Sequence, residues 1–243
     1  MSASDSEQRR VFGADGVLIC AGEFADSASP DWLDAKHWGD AAQPVVEGGR
    51  GAAWFIRRDE GDWVLRHYRR GGLMARFSRD RYFWAGEAAV RSIAEFRLLQ
   101  RLHGLGLPVP RPIAAWYRRH GLGYGAALIV ERIAGARPMT ILLEGGERAV
   151  WAQIGATIAR FHGQGVEHAD LNANNILLAG GQVWLIDFDR GRLHVGDSGD
   201  AWRQANLDRL ARSLRKLGGD AADAAWRSGY AALCDAYAAE RAR

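Results

Sequence analysis

Apolar positions fall into two regimes along this chain. Through the first half they come in short runs, VLIC (17–20), AAWFI (52–56) and DWVLRHY (62–68), separated by the turn-rich stretches EGGRG (47–51) and RRDEGD (57–62). Short apolar runs bounded by turn residues predict strands of an antiparallel sheet. A helix is expected over 86–103, because Val90, Ile93, Phe96, Leu98, Leu99 and Leu102 fall near a 3.6-residue period and Gly104 follows as a stop. LPVPRP (107–112) cannot be helical, since proline lacks the N–H and restricts the residue before it. IAAWYRR and GAALIVERI then read as a strand pair around HGLGYG.

From about residue 138 the period becomes helical. Val150, Ile154, Ile158 and Phe161 form one stripe, Leu207, Leu210, Leu214 and Leu217 a second, and Trp226, Tyr230, Leu233 and Tyr237 a third. Among them NILLAGGQVWLIDFD reads as a hairpin turning at Gly180–Gly181. Residues 1–10 read as a frayed terminus. The expected organisation is an N-terminal extension with a first strand (1–30), a strand-rich lobe (31–133) and a mainly helical lobe (134–243).

Composition narrows the class. A hydrophobic content of 48% and a charged content of 25% over 243 residues belong to a globular protein with ample core. No apolar run approaches the ~18 residues of a membrane span, and the polar start MSASDSEQRR lacks the apolar stretch of a signal peptide. The plain expectation is cytoplasmic residence. Cys20 and Cys234 stand alone, with no CxxC spacing, which argues for a reducing compartment and against structural zinc. Lys36 and Lys216 are the only lysines among 32 basic residues. Work done elsewhere by lysine must here fall to arginine or be left undone.

The segment VEHADLNANNILLAGGQVWLIDFDR (166–190) carries the candidate chemistry. His168-Ala-Asp170-Leu, with Asn175 three residues beyond Asn172 and Asp187-Phe188-Asp189 following the strand VWLI, has the spacing of a kinase catalytic loop and its metal-binding loop. Mg²⁺ is a hard cation that takes oxygen ligands, which Asn175 and Asp187 would supply. Asp170 would orient the attacking hydroxyl and accept its proton, with His168 holding the loop in shape. Taken one at a time these are ordinary turn residues; together they spell one pattern.

The first half then has to supply the nucleotide clamp. Gly49 and Gly51 lie in GGRG, where glycine lets backbone N–H groups approach anionic oxygens. The match to a kinase glycine loop is partial, because Trp54 holds the last glycine position, and GGRG alone is also a common hairpin turn. Arg66 sits in the strand where kinases carry a phosphate-binding lysine, and its planar fork binds phosphate bidentately. Glu95, deep in the predicted helix, is preferred over Glu87 as its partner, although an ordinary surface pair has the same sequence appearance. Backbone groups of Glu131 to Ile133 would bind an adenine edge.

HADLNANNILL and VWLIDFDRG, with VLRHYRRGGLMARFSRDRYFWAG (64–86), closely resemble the 3-deoxy-D-manno-octulosonic acid (Kdo) kinases of the lipopolysaccharide kinase group. The resemblance runs from about residue 30 to 220, and RGGL…DRYFW is its specific part. It implies an α+β, protein-kinase-like bilobal fold, with an antiparallel-sheet lobe carrying one main helix and a mainly helical lobe. It also implies ATP as phosphoryl donor and the 4-hydroxyl of Kdo, on a lipid A precursor, as acceptor. Asp170 becomes the base, Asn175 and Asp187 the Mg²⁺ ligands and Arg66 the phosphate contact. Ala169 and Asp189 depart from H-R-D and D-F-G, which argues against switching by activation-loop phosphorylation.

Between 66 and 81, six arginines face one acid, Asp80, with aromatic residues interleaved. A solvated face, a nucleic-acid patch and an anionic glycolipid site are all readings of such a run. The expected partner is the anionic inner-membrane surface on its cytoplasmic side, with no nucleic acid, because basic residues near anionic lipid gain about 1 kcal/mol each. A heptose kinase of the same group and a non-catalytic kinase-like binding module are the alternative functions.

Overall fold

The computed structural model describes residues 7–13, 15–45, 53–68, 82–196, 199–221 and 224–243. The chain divides into two compact units, Met1–Leu105 with Pro110–Ala134, and Gly106–Val109 with Gly135–Arg243.

The first unit is built on an antiparallel sheet. Its strands are β1 (Glu7–Phe12), β2 (Gly16–Ala21), β3 (Ala42–Pro44), β4 (Ala53–Ile56), β5 (Trp63–His67), β6 (Tyr82–Phe83), β7 (Pro112–His120) and β8 (Gly123–Glu131). Their spatial order is β1-β2-β7-β8-β5-β4-β3, with β6 also paired to β8. Every residue of β2 is buried, as a strand inside a sheet covered on both faces requires. On one face Leu18, Cys20, Ile56, Trp63, Leu65 and Ile129 form the core. That face is capped by residues 22–41, whose Phe24, Trp32, Ala35 and Trp38 pack against it. Two 3₁₀ helices there, Pro30–Leu33 and Ala35–Ala41, are capped by the side chains of Ser29 and Asp34. They bring Trp32 to 5.0 Å and Trp38 to 5.7 Å from the Trp63 ring, an aromatic lid of large buried area.

The helix α1 (Arg91–Gly104) packs on β7 and β8. It starts five residues later than the periodicity predicts. Gly86 adopts φ 95°, residues Glu87–Ala89 make a 3₁₀ turn, and Val90 is extended at the N-cap. The apolar period therefore ran on through residues whose backbone is not α-helical. Residues 7–10 are not frayed either: all six β1 residues pair in register with β2, from Glu7↔Ala21 to Phe12↔Gly16. The polar composition of β1 is that of an edge strand, which faces water on most sides.

The second unit holds α2 (Arg148–Gly163), α3 (Ala201–Gly218) and α4 (Ala225–Arg241). Its short strands are β9 (Arg137–Pro138), β10 (Val166–Glu167), β11 (Ile176–Ala179), β12 (Gln182–Leu185) and β13 (Arg192–Leu193). The helical regime expected from residue 138 opens instead with β9 and a 3₁₀ turn at Met139–Leu142, and α2 follows at Arg148. The α2–α4 contact is close because Gly155 has no side chain: a Cβ there would meet the Leu233 carbonyl oxygen at 2.0 Å. The hairpin β11–β12 turns at Gly180 and Gly181, with φ of 58° and 72°, as a two-residue primed turn demands. Its register, Ile176↔Leu185, aligns the ends of the two strands from which the polar loops leave. Among the described residues no helix is long and apolar enough to cross a membrane.

Candidate active site

In the first unit, side chains from β5, from Tyr68 just beyond it and from α1 converge. Arg66 Nη2 donates to Glu95 Oε1 at 2.5 Å, and the Tyr68 hydroxyl donates to the other carboxylate oxygen. Arg66 and Tyr68 share a face because side chains two apart on a strand do so. The Glu95 side chain is 2% exposed and that of Arg66 is 25% exposed, so the acid is the more deeply buried of the two. Burial, reinforced by the Glu95 charge, holds the Tyr68 phenol well above its ordinary pKa, and it remains a donor. Glu87 belongs to another cluster, where it accepts from Arg9 at 2.9 Å and from Tyr117 at 2.9 Å. Sequence reasoning missed Tyr68, counting it only among the aromatics of the basic run; strand alternation was the signal for it.

Glu131 ends β8 opposite Trp63, so its side chain shares the Trp63 face, away from Arg66. There it lines a cavity of ≈350 Å³ with Phe24, Arg58, Trp63 and Arg111. The backbone N–H of Glu131 donates to Arg111 O at 2.8 Å, and that of Arg132 to Asp62 O at 2.9 Å. These two groups are committed to the sheet. A ligand edge at this segment falls to the other backbone groups up to Ile133. Gly49 and Gly51, and the basic run 69–81, lie outside the described residues.

In the second unit, the loop after β10 and the loop after β12 are tied together by His168. Its Nε2–H donates to the Ile186 carbonyl at 2.8 Å, and its Nδ1 accepts the Asp170 N–H at 3.2 Å. One neutral tautomer satisfies both bonds, and burial lowers the His168 pKa in keeping with that. Phe188, fully buried, packs at 4.7 Å from the His168 ring and 5.7 Å from Phe161. Below them Asn206 of α3 accepts from the His168 N–H at 3.1 Å and lies 3.4 Å from His162 Nε2. His162, whose pKa burial lowers to about 4, meets the Tyr237 hydroxyl at 2.7 Å through its other nitrogen. The apolar and neutral groups form a rigid floor under the charged ones.

On that floor Asp170 stands out, its side chain 62% exposed. Asn172 Nδ2 donates to Asp170 Oδ2 at 3.1 Å, while its Oδ1 accepts from the N–H groups of Asn174 and Asn175. Asn175 Nδ2 donates to the Asp170 carbonyl at 2.9 Å, which leaves its Oδ1 as the oxygen it can offer. The Ile186 N–H donates to Asn175 O at 3.0 Å, so Asn175 and Asp187 leave neighbouring strand ends. Asp187 adopts φ 63°, a left-handed conformation that costs an L-residue roughly 1–2 kcal/mol and that clusters at functional sites.

An amide oxygen and a carboxylate fit Mg²⁺, which binds one or two such protein oxygens and fills its octahedron with phosphate and water. Among the described residues no group of three His, Cys, Asp or Glu could cage an ion.

The family model of the lipopolysaccharide kinase (Kdo/WaaP) family matches residues 35–237. A protein of Xylella fastidiosa (strain M23) named 3-deoxy-D-manno-octulosonic acid kinase is 51% identical over 203 residues, covering 82% of this chain and 80% of its own. The protein of that name from Stenotrophomonas maltophilia (strain K279a) is 50% identical over 224 residues, covering 91% and 89%. Among solved structures, WaaP in complex with acyl carrier protein superposes with a TM-score of 0.59 at 15% identity, over 91% of this chain and 88% of that one. Glucosamine kinase in complex with glucosamine, ADP and inorganic phosphate gives 0.54 at 14% identity, over 97% and 82%. At these identities the two structures speak for the kinase-like α+β fold alone.

Proposed function

Because this chain belongs to the lipopolysaccharide kinase (Kdo/WaaP) family and is a phosphotransferase acting on a hydroxyl group, we propose that it transfers the γ-phosphoryl group of ATP to the 4-hydroxyl of Kdo on a lipid A precursor. The observation that carries this reading is the exposed Asp170 carboxylate, held on a buried, neutral floor beside the oxygen donors Asn175 and Asp187.

Asp170 accepts a hydrogen bond from the acceptor hydroxyl, orients it and takes its proton as the new P–O bond forms and the bond to ADP breaks. His168 does not exchange protons, since both ring nitrogens are occupied by backbone partners. Asn175 Oδ1 and the Asp187 carboxylate would hold Mg²⁺. The ion, when bound, neutralises charge building on the phosphates. Arg66 contacts phosphate, aligned by Glu95 and Tyr68. Backbone groups of the Glu131–Ile133 segment other than the Glu131 and Arg132 N–H take the adenine edge. Incubation with ATP, Mg²⁺ and a Kdo-bearing lipid A precursor is expected to yield a mono-phosphorylated Kdo, located at O4 by mass spectrometry and NMR. Phosphate found only on heptose would move the assignment to a heptose kinase, and no transfer to any core sugar would leave the binding-module reading.

The same acceptor places the protein at the cytoplasmic face of the inner membrane as a peripheral protein. Two apolar side chains support this: Phe83 is 69% exposed and Leu122 is 81% exposed. Their backbones are adjacent, the Trp84 N–H donating to Leu122 O at 2.9 Å and Phe83 pairing with Gly123. Exposed Arg118, Arg119 and His120 precede them on β7. Apolar tips beside basic groups suit an anionic interface. Flotation with anionic vesicles is expected to carry the protein, less so at high salt; equal recovery with neutral vesicles would remove the assignment.

A further inference from the structure

The helix α3 meets the catalytic loop through one face. Asn206, Arg209 and Ser213 are spaced three and four residues apart, so they line up along the helix. Asn206 Oδ1 accepts from the His168 N–H at 3.1 Å, and Ser213 Oγ accepts from the Ala173 N–H at 3.2 Å. These two bonds pin the loop to the helix on either side of Asp170. Arg209 lies between them, with Nη1 at 3.7 Å from Asp170 Oδ1.

That separation is too long for a hydrogen bond, and the two side chains are 46% and 62% exposed. An open pair of this kind adds little to stability. Yet its position is built, because loop and helix are locked together underneath it. A guanidinium has five N–H donors in a planar fork matched to a carboxylate, and a 3.7 Å approach to Asp170 engages little of that capacity. The group next to the hydroxyl-binding carboxylate is therefore a cation with donors to spare.

We propose that Arg209 is the acceptor-carboxylate residue of this kinase: the sugar acid's carboxylate docks on the Arg209 fork while its hydroxyl docks on Asp170. This deepens the Kdo reading above and rests on it. A neutral sugar offers Arg209 no such partner, so the pair Asp170–Arg209 selects a hydroxylated carboxylic acid. The γ-phosphate is a second possible anion for Arg209. On the reading proposed above, Asn175 and Asp187 serve the donor through its cation, which leaves Arg209 to the acceptor.

The test compares a Kdo glycoside with its methyl ester, in wild type, Arg209→Gln, Arg209→Lys and Arg212→Gln. Arg212, exposed one turn along α3, controls for loss of one surface charge. Wild type is expected to prefer the acid over the ester by about tenfold to a hundredfold in KM, the range of a charge-assisted hydrogen-bonded pair. Arg209→Gln is expected to lose that preference, with KM for the acid rising to that of the ester and KM for ATP unchanged. Arg209→Lys should recover part of it, and Arg212→Gln should behave as wild type. Equal loss on acid and ester, with a raised KM for ATP, would assign Arg209 to the phosphate and overturn the proposal. A matching effect in Arg212→Gln would reduce it to general surface charge. Failure of the wild type to phosphorylate either glycoside, or the lipid-linked acceptor, would instead fell the Kdo reading itself.

Discussion

Asp170→Asn is expected to lower kcat by roughly 10²–10⁴-fold, the contribution of a positioned general base. The change leaves the scaffold alone. Asp170 is 62% exposed, and the hydrogen bonds that shape its loop run through backbone groups: its N–H to His168 and its carbonyl to Asn172 and Asn175. An asparagine there keeps an oxygen to accept from Asn172, so thermal stability and ATP affinity should match those of wild type. What it loses is the capacity to take the acceptor's proton. Turnover within about tenfold of wild type, measured with saturating acceptor and a correctly folded variant, would remove Asp170 from the chemistry.

Glu95→Ala should fail differently, in stability as well as activity. The Glu95 carboxylate accepts from Arg66 and from the Tyr68 hydroxyl in a buried setting. Deleting it strands a phenol and loosens a guanidinium from its alignment. Removing one member of a buried charged pair costs about 3–5 kcal/mol, and the partial exposure of Arg66 favours the lower end. For a chain of this length about 3 kcal/mol corresponds to a fall of roughly 6–12 °C in Tm, read by calorimetry. KM for ATP should rise in the same variant, because Arg66 no longer presents its fork to phosphate in one orientation. Glu95→Gln, which keeps two hydrogen-bonding atoms in place, is expected to recover most of the stability and only part of the nucleotide affinity. A Glu95→Ala protein as stable as wild type, with unaltered KM, would reduce the trio to an ordinary surface contact.

The two variants probe parts of the protein that differ in how legible they were. The loop and hairpin from His168 to Asp189 lie within a short span, and each step follows from neighbouring residues. Asn172 caps the turn ahead of Asn175, paired glycines close the hairpin, and alternation buries Val183 and Leu185. The first-unit pair was legible because strand and helix periods each placed one partner. The helix start was less so. Gly86 and the extended Val90 set it through backbone conformation, which an apolar period does not encode. β1 was missed because an edge strand has no buried face to produce alternation, and only its pairing with β2 makes it a strand.

By itself, the sequence determined the residue types and their local order: an oxygen-donor set at kinase spacing, a strand arginine with a helix glutamate to pair it, and turns at glycine. Such features depend on bonds spanning a few residues, which spacing encodes. Only the tertiary structure decided which distant groups complete them. Tyr68 joins Glu95 across 27 residues, and Asn206 and Ser213 reach the Asp170 loop from 38 and 40 residues away. Arg209, indistinguishable in sequence from many other arginines, is brought to Asp170. The physical reason is that a helix shows its period to any sequence, while the loop it lies against is chosen by burial and by backbone groups that must find partners.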